Sequence, residues 1–277
     1  MTFFRLFRLR AALSGAAFCM VLTGCARLPA MAGHTPENTL AWAGVRGFSR
    51  VDLPAAPFPI FALSRGRAEI WNVYIEGDGA PWATPFHPPA DPTPDEAVAL
   101  HLAEQDEAPG VLYLGRPCQY LAPTALAVCP AGYWLGKRFS PQVLDWYQGW
   151  LDQFRAHGGA RGFRLIGYSG GGVLAVLLAA RRSDVMQVLT VASPLDLSAW
   201  VAHHDLSPLS ESLDPMRQAD CRLPGAVHFV GDSDPVVPPA IVQGFSARHG
   251  GMVRVVRGYG HVCCWSKDWR KLLGELK

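Results

Sequence analysis

Charge is scarce in this sequence. Asp, Glu, Lys and Arg make up 17% of 277 residues, and the formal net charge is only +2. The body of the chain has no Lys/Arg cluster, so the electrostatic footprint that nucleic-acid binding requires is missing. Metal-ligand spacings are missing too. There is no C-x-x-C pair and no H-E-x-x-H, and His203 and His204 are adjacent rather than one helical turn apart, which argues against zinc. The uncharged, mostly apolar stretch at 11–23 has 13 residues, whereas an ordinary membrane-spanning helix needs about 20. No internal repeat is visible. Hydrophobic residues are plentiful, at 49%, enough for a sizeable core. The length suits a single sheet covered by helices on both faces.

The short apolar stretch follows Arg5, Arg8 and Arg10, and together they read as a secretory signal peptide over 1–24. It ends in Leu22-Thr23-Gly24-Cys25, which resembles the bacterial lipobox, so Cys25 is expected to be lipidated and to start the mature chain. Loss of three arginines would take the net charge from +2 to −1. Residues 25–40 are expected to be a tether and 41–277 a folded domain, held at a cell-envelope membrane and facing the periplasm. Ala26 offers no retention signal, which leans toward the outer membrane. Once Cys19 is removed and Cys25 acylated, Cys118, Cys129, Cys221, Cys263 and Cys264 remain. An oxidising compartment allows disulfides. Cys118 and Cys129 stand 11 apart around Pro123 and are expected to close a small loop, worth roughly 2–3 kcal/mol. Cys221 is expected to pair with Cys263 or Cys264.

Beyond the tether, β-rich segments at 59–64 and 70–76 precede a Pro-rich loop over 81–94. Alternation then sets in: strands at 111–114, 163–166, 185–192, 226–230 and 253–256, with helices at 141–157, 173–181, 240–248 and 265–276. This pattern predicts an α/β fold with a mostly parallel sheet. The segment 193–223 is long for a connection between core strands and reads as a short cap-like insertion. Its Trp200, His203 and His204 either line a substrate entrance or pack on the surface.

Gly167-Tyr168-Ser169-Gly170-Gly171 matches G-x-S-x-G, directly after a predicted strand and before an apolar helix. A serine on such a turn is aimed out of the sheet, and the glycines let strand and helix approach closely. A hydroxyl is a weak nucleophile until a base takes its proton. Downstream, Gly231-Asp232-Ser233-Asp234-Pro235 and Gly258-Tyr259-Gly260-His261 each follow a predicted strand. Ser, acid and His therefore occur in order at strand ends, where such sheets build their sites.

From about residue 70 to the C-terminus, these motifs resemble the α/β-hydrolase family. The resemblance implies the α/β-hydrolase fold, with Ser169 as nucleophile, His261 as general base and Asp234, preferred over Asp232, as the acid that orients the base. It also implies the Gly170 N–H as first oxyanion donor. The second donor belongs in the loop after an earlier strand, and the backbone N–H of Asp78 in Tyr74-Ile75-Glu76-Gly77-Asp78-Gly79 fits. Glu76 departs from the family's common His-Gly pattern there. The implied reaction is hydrolysis of an ester or related acyl bond in a small-molecule substrate, with no cofactor or metal. A peptidase or amidase using the same three residues, and a non-catalytic envelope protein that binds a ligand, are the alternatives. A nucleic-acid partner is not expected.

Overall fold

A computed structural model describes residues 35–54, 58–80, 88–219 and 223–276. Strands are β1 (Ser49–Arg50), β2 (Ala62–Gly66), β3 (Ile70–Ile75), β4 (Gly110–Leu114), β5 (Gly162–Tyr168), β6 (Val185–Val191), β7 (Val227–Gly231) and β8 (Met252–Val256). Helices are α1 (Pro36–Gly44), α2 (Val98–Gln105), α3 (Pro123–Leu126), α4 (Pro141–Gly158), α5 (Gly170–Ala179), α6 (Leu197–His203), α7 (Pro239–His249) and α8 (Trp265–Gly274). The eight strands form one sheet in the order β1-β2-β4-β3-β5-β6-β7-β8. β2 runs antiparallel to β1 and β4, and every other pairing is parallel. The sheet order changes direction at β3, with β4 on one side and β5 on the other. The crevice beyond the C-terminal ends of these strands is where such sheets bind ligands.

Period-two alternation divides the core. Along β3, Val73 and Ile75 join one apolar cluster with α4, α5 and α7, while Tyr74 joins the other with α1, α2 and α8. The sheet is thus covered on both faces. α4 starts at Ser140, whose hydroxyl accepts from the Val143 N–H, with Pro141 in the first turn. Its Val143, Leu144, Tyr147, Trp150, Leu151 and Phe154 lie on one face and are buried, each stabilising by roughly 1.5–3 kcal/mol. α5 is apolar all round and entirely buried, as a helix between a sheet and other helices must be.

Three expectations need correction. The tether over 25–40 ends early. Thr35 caps the Asn38 N–H, Pro36 opens α1, and Trp42 and Ala43 are buried under the sheet. Cys263 and Cys264 are bonded to each other, so neither sulfur is left for Cys221; adjacent residues meet with almost no loop to close. Helices α1, α2, α3 and α6 also exceed the expected set. Cys118 and Cys129 are joined, with Cα atoms 6.1 Å apart, and both are buried. Residues 1–24, expected to be a signal peptide, and Cys25, Cys221 and residues 81–87 of the Pro-rich loop lie outside the described residues.

Candidate active site

Ser169 sits between β5 and α5 with φ 49° and ψ −124°. A non-glycine residue in this region is held there against a cost of about 1–3 kcal/mol, and such positions cluster at functional sites. The turn is braced by its neighbours. The Ser169 N–H donates to the Val191 carbonyl of β6 at 2.8 Å. A Cβ on Gly167 would stand 2.2 Å from the Gly171 carbonyl oxygen, and one on Gly171 would stand 2.1 Å from that of Ile75. Only glycine lets α5, β5 and β3 come this close.

Asp234 lies in the loop after β7. Its Oδ1 accepts from the Val236 and Val237 N–H groups at 2.8 and 2.9 Å, and its side chain is fully buried. Oδ2 is left to face His261 Nδ1 at 3.0 Å. With Nδ1–H donating there, Nε2 is the acceptor that faces Ser169 Oγ, 3.1 Å away. Three residues from three loops, 92 positions apart at the extremes, thus form one continuous hydrogen-bonded chain. Asp232 does something else. It is exposed, and its Oδ1 accepts from the Gly258 N–H at 2.7 Å, tying the Asp234 loop to the His261 loop. The buried Trp265 indole donates to the Gly260 and His261 carbonyls at 3.1 and 2.9 Å. The Tyr168 hydroxyl also donates to the His261 carbonyl, at 3.3 Å.

Trp200 and His204, from the insertion, both reach the Val236 carbonyl, at 2.9 and 2.8 Å. They brace the Asp234 loop from outside, while His203 is exposed. Spacing in the sequence gave no signal for this contact, because α6 and the Asp234 loop meet only through the fold.

Asp78 follows β3, next to the turn that carries Ser169. The preceding Gly77 N–H is taken by Glu76 Oε1 at 2.8 Å, so it is unavailable to a ligand. Among the described residues no protein acceptor takes the N–H of Asp78 or of Gly170. Both expected donors are thus left without a protein acceptor among the described residues. The Asp78 carboxylate is half-buried and ion-paired at 2.7 Å with both Arg116 and Arg138. Burial alone would raise its carboxyl, but the charges of Arg138 and Arg116 outweigh that and hold it below the ordinary value. Glu76 is the opposite case. Burial pushes its carboxyl up to about 7, although the Gly77 and Ala99 amides and the Tyr113 hydroxyl pull the other way. Neither Arg116 nor Arg138 was among the expected site residues. The one available signal was that Arg116 follows a strand, at the end of β4.

With the geometry in view, comparison with solved structures identifies the architecture: the chain has the α/β-hydrolase fold. It is similar to an esterase of Pyrococcus furiosus (TM-score 0.56, 12% identity, 83% of this chain and 91% of that one). It is similar also to an α/β serine hydrolase without lid from Xanthomonas campestris (TM-score 0.54, 14% identity, 83% and 91%). A puromycin hydrolase matches with TM-score 0.57 and 17% identity over 83% of this chain but 38% of its own length. No family profile matches the sequence, and no curated protein does.

Proposed function

We propose that this chain is a serine hydrolase that cleaves an ester or related acyl bond through an acyl-enzyme. The observation that carries the proposal is the hydrogen-bonded chain from Asp234 through His261 to Ser169, with the serine held in a strained conformation. Ser169 Oγ attacks the substrate carbonyl as His261 Nε2 takes its proton. The oxyanion that forms faces the N–H groups of Gly170 and Asp78. His261 then gives its proton to the leaving group, and water repeats the sequence on the acyl-enzyme. Asp234 keeps the imidazole in the working tautomer and stabilises its positive charge. No step calls for a metal or cofactor. Cleavage of amides is the second reading, since the same three residues serve both chemistries and the chain is similar to a puromycin hydrolase. Fold alone does not choose between the two chemistries.

We further propose that residues 1–24 direct export and that Cys25 carries the lipid that anchors the domain to the envelope, the outer membrane being favoured. The basic, short apolar leader ending in Leu-Thr-Gly-Cys supports this. Hydrolysis of a panel of p-nitrophenyl esters tests the catalytic proposal. Ser169→Ala and His261→Ala should each lower kcat by about 10³-fold or more, and the double variant should lose little beyond either, because the groups act as a unit. The rate should fall on acidification, since a protonated imidazole accepts no proton. A folded Ser169→Ala protein with unchanged kcat would refute it.

A further inference from the structure

We infer that Gln119, Arg116 and Arg138 are positioning residues that set the second oxyanion donor. The inference rests on the hydrolase reading of the site and deepens it. Gln119 is fully buried in the loop after β4. Its Nε2 donates to the carbonyls of Gly77 and Pro92, at 3.1 and 3.2 Å, and its Oε1 accepts from the Arg116 N–H at 2.9 Å. Both ends of the amide are committed, so its orientation follows from its partners.

The Gly77 carbonyl belongs to the same peptide plane as the Asp78 N–H. In a trans peptide these two groups point in opposite directions. By holding the carbonyl, Gln119 fixes the direction of the donor without touching substrate. The Gly77 N–H, already bonded to Glu76, pins the preceding peptide. The far end of the Asp78 residue is pinned as well. Its two carboxylate oxygens are taken one each by Arg116 and Arg138, and Arg116 also donates to the Arg138 carbonyl at 2.8 Å. Charge-assisted bonds of this kind are short and directional.

The clamp also fixes the two donors relative to each other. Asp78 Oδ1 lies 2.0 Å from where a Cβ on Gly170 would stand, and Arg116 lies 3.0 Å from that point. The carboxylate thus rests on the residue that carries the first donor. The loop that supplies Gln119 and Arg116 is itself anchored. Cys118, between them, is bonded to Cys129. Cys118 and Tyr120 hold φ of 71° and 59°, a left-handed backbone that persists only where the surroundings impose it.

The test uses the full-length protein, p-nitrophenyl butyrate as substrate and an alkyl trifluoromethyl ketone as inhibitor, because the ketone's adduct with a serine carries an oxyanion. Gln119→Met keeps length and volume but removes both polar ends. It should lower kcat by about 10- to 100-fold, weaken the ketone by the same factor and leave KM within about threefold. A purely structural role would instead appear as a lower Tm with kcat and ketone affinity retained in the folded fraction. If Gln119→Met does not fold, Asp78→Asn keeps the backbone donor, breaks the charged clamp and should show the same split. Unchanged kcat and ketone affinity in either folded variant, or a change confined to KM, would overturn the inference. A wild-type protein that neither hydrolyses the ester nor reacts with a fluorophosphonate would instead overturn the hydrolase reading beneath it.

Discussion

The Ser169 half of the proposed site and the Asp234–His261 half are built in different ways. Ser169 is held by backbone. Strands β3, β5 and β6 and the start of α5 close around it, with glycines where any Cβ would strike a neighbouring carbonyl. His261 and Asp234 are held by side chains and loops: two amides on one carboxylate oxygen, an indole under the histidine loop, and Asp232 bridging the two loops. This half is also more open, since Val262 and Cys263 beside the histidine are exposed. The difference teaches where each half should fail. Changes at the glycines around Ser169 should be felt first as lost stability, and changes at the Asp234 and His261 loops first as lost chemistry in a protein that still folds.

The largest effect that would sharpen this contrast comes from the two aspartates of one loop. Asp234→Asn keeps the shape of the side chain but favours the wrong imidazole tautomer, so kcat should fall by about 10³- to 10⁴-fold with Tm little changed. Asp232→Asn can still accept from the Gly258 N–H, and kcat should stay within about threefold of wild type. Equal losses from the two substitutions, measured with one ester, would break the assignment of the acid.

Next comes the turn that holds Ser169. Gly171→Ala would place a methyl 2.1 Å from the Ile75 carbonyl oxygen and 2.5 Å from that of Glu76. Backbone cannot yield as a flexible side chain does, so the substitution should cost about 3 kcal/mol or more in urea unfolding. A Gly171→Ala protein as stable as wild type would show that the turn is not braced as described.

A smaller effect concerns pH. The unfolded chain loses the Glu76 proton near 4.5, whereas the folded chain keeps it to about 7. Between these values the folded state binds more protons, so its stability falls as pH rises through the window, and nothing is lost below it. Glu76→Gln has no proton to lose and can still accept from the Gly77 N–H. Its unfolding free energy should decline less between pH 5 and 8 than that of wild type. Parallel pH–stability curves for the two proteins would contradict the burial argument.

Much of the proposed site was legible because each of its three side chains follows a strand whose hydrophobic run is plain in the sequence. Phe163 to Ile166 announces Ser169, Ala226 to Val230 announces Asp234, and Val253 to Val256 announces His261. What was not legible depends on sheet order. Gln119 and Arg116 reach Gly77 and Asp78 only because β4 lies beside β3, and spacing along the chain does not encode that neighbour. Trp200 and His204 meet Val236 for a similar reason. α1 is another matter. Thr35 followed by Pro36 and Glu37 is a readable helix start, but the lack of periodicity before it drew the tether too far. The pairing of Cys263 with Cys264 was missed because spacing arguments look for a loop to close, and adjacent residues leave none.

The most direct test of the central claim is intact-mass and peptide-mapping mass spectrometry of the folded protein after exposure to a fluorophosphonate. One adduct per chain, located on Ser169, lost in Ser169→Ala and formed much more slowly in His261→Ala, is the expected result. A folded wild-type protein that takes no adduct, or takes it on another residue, would contradict the assignment of Ser169 as nucleophile.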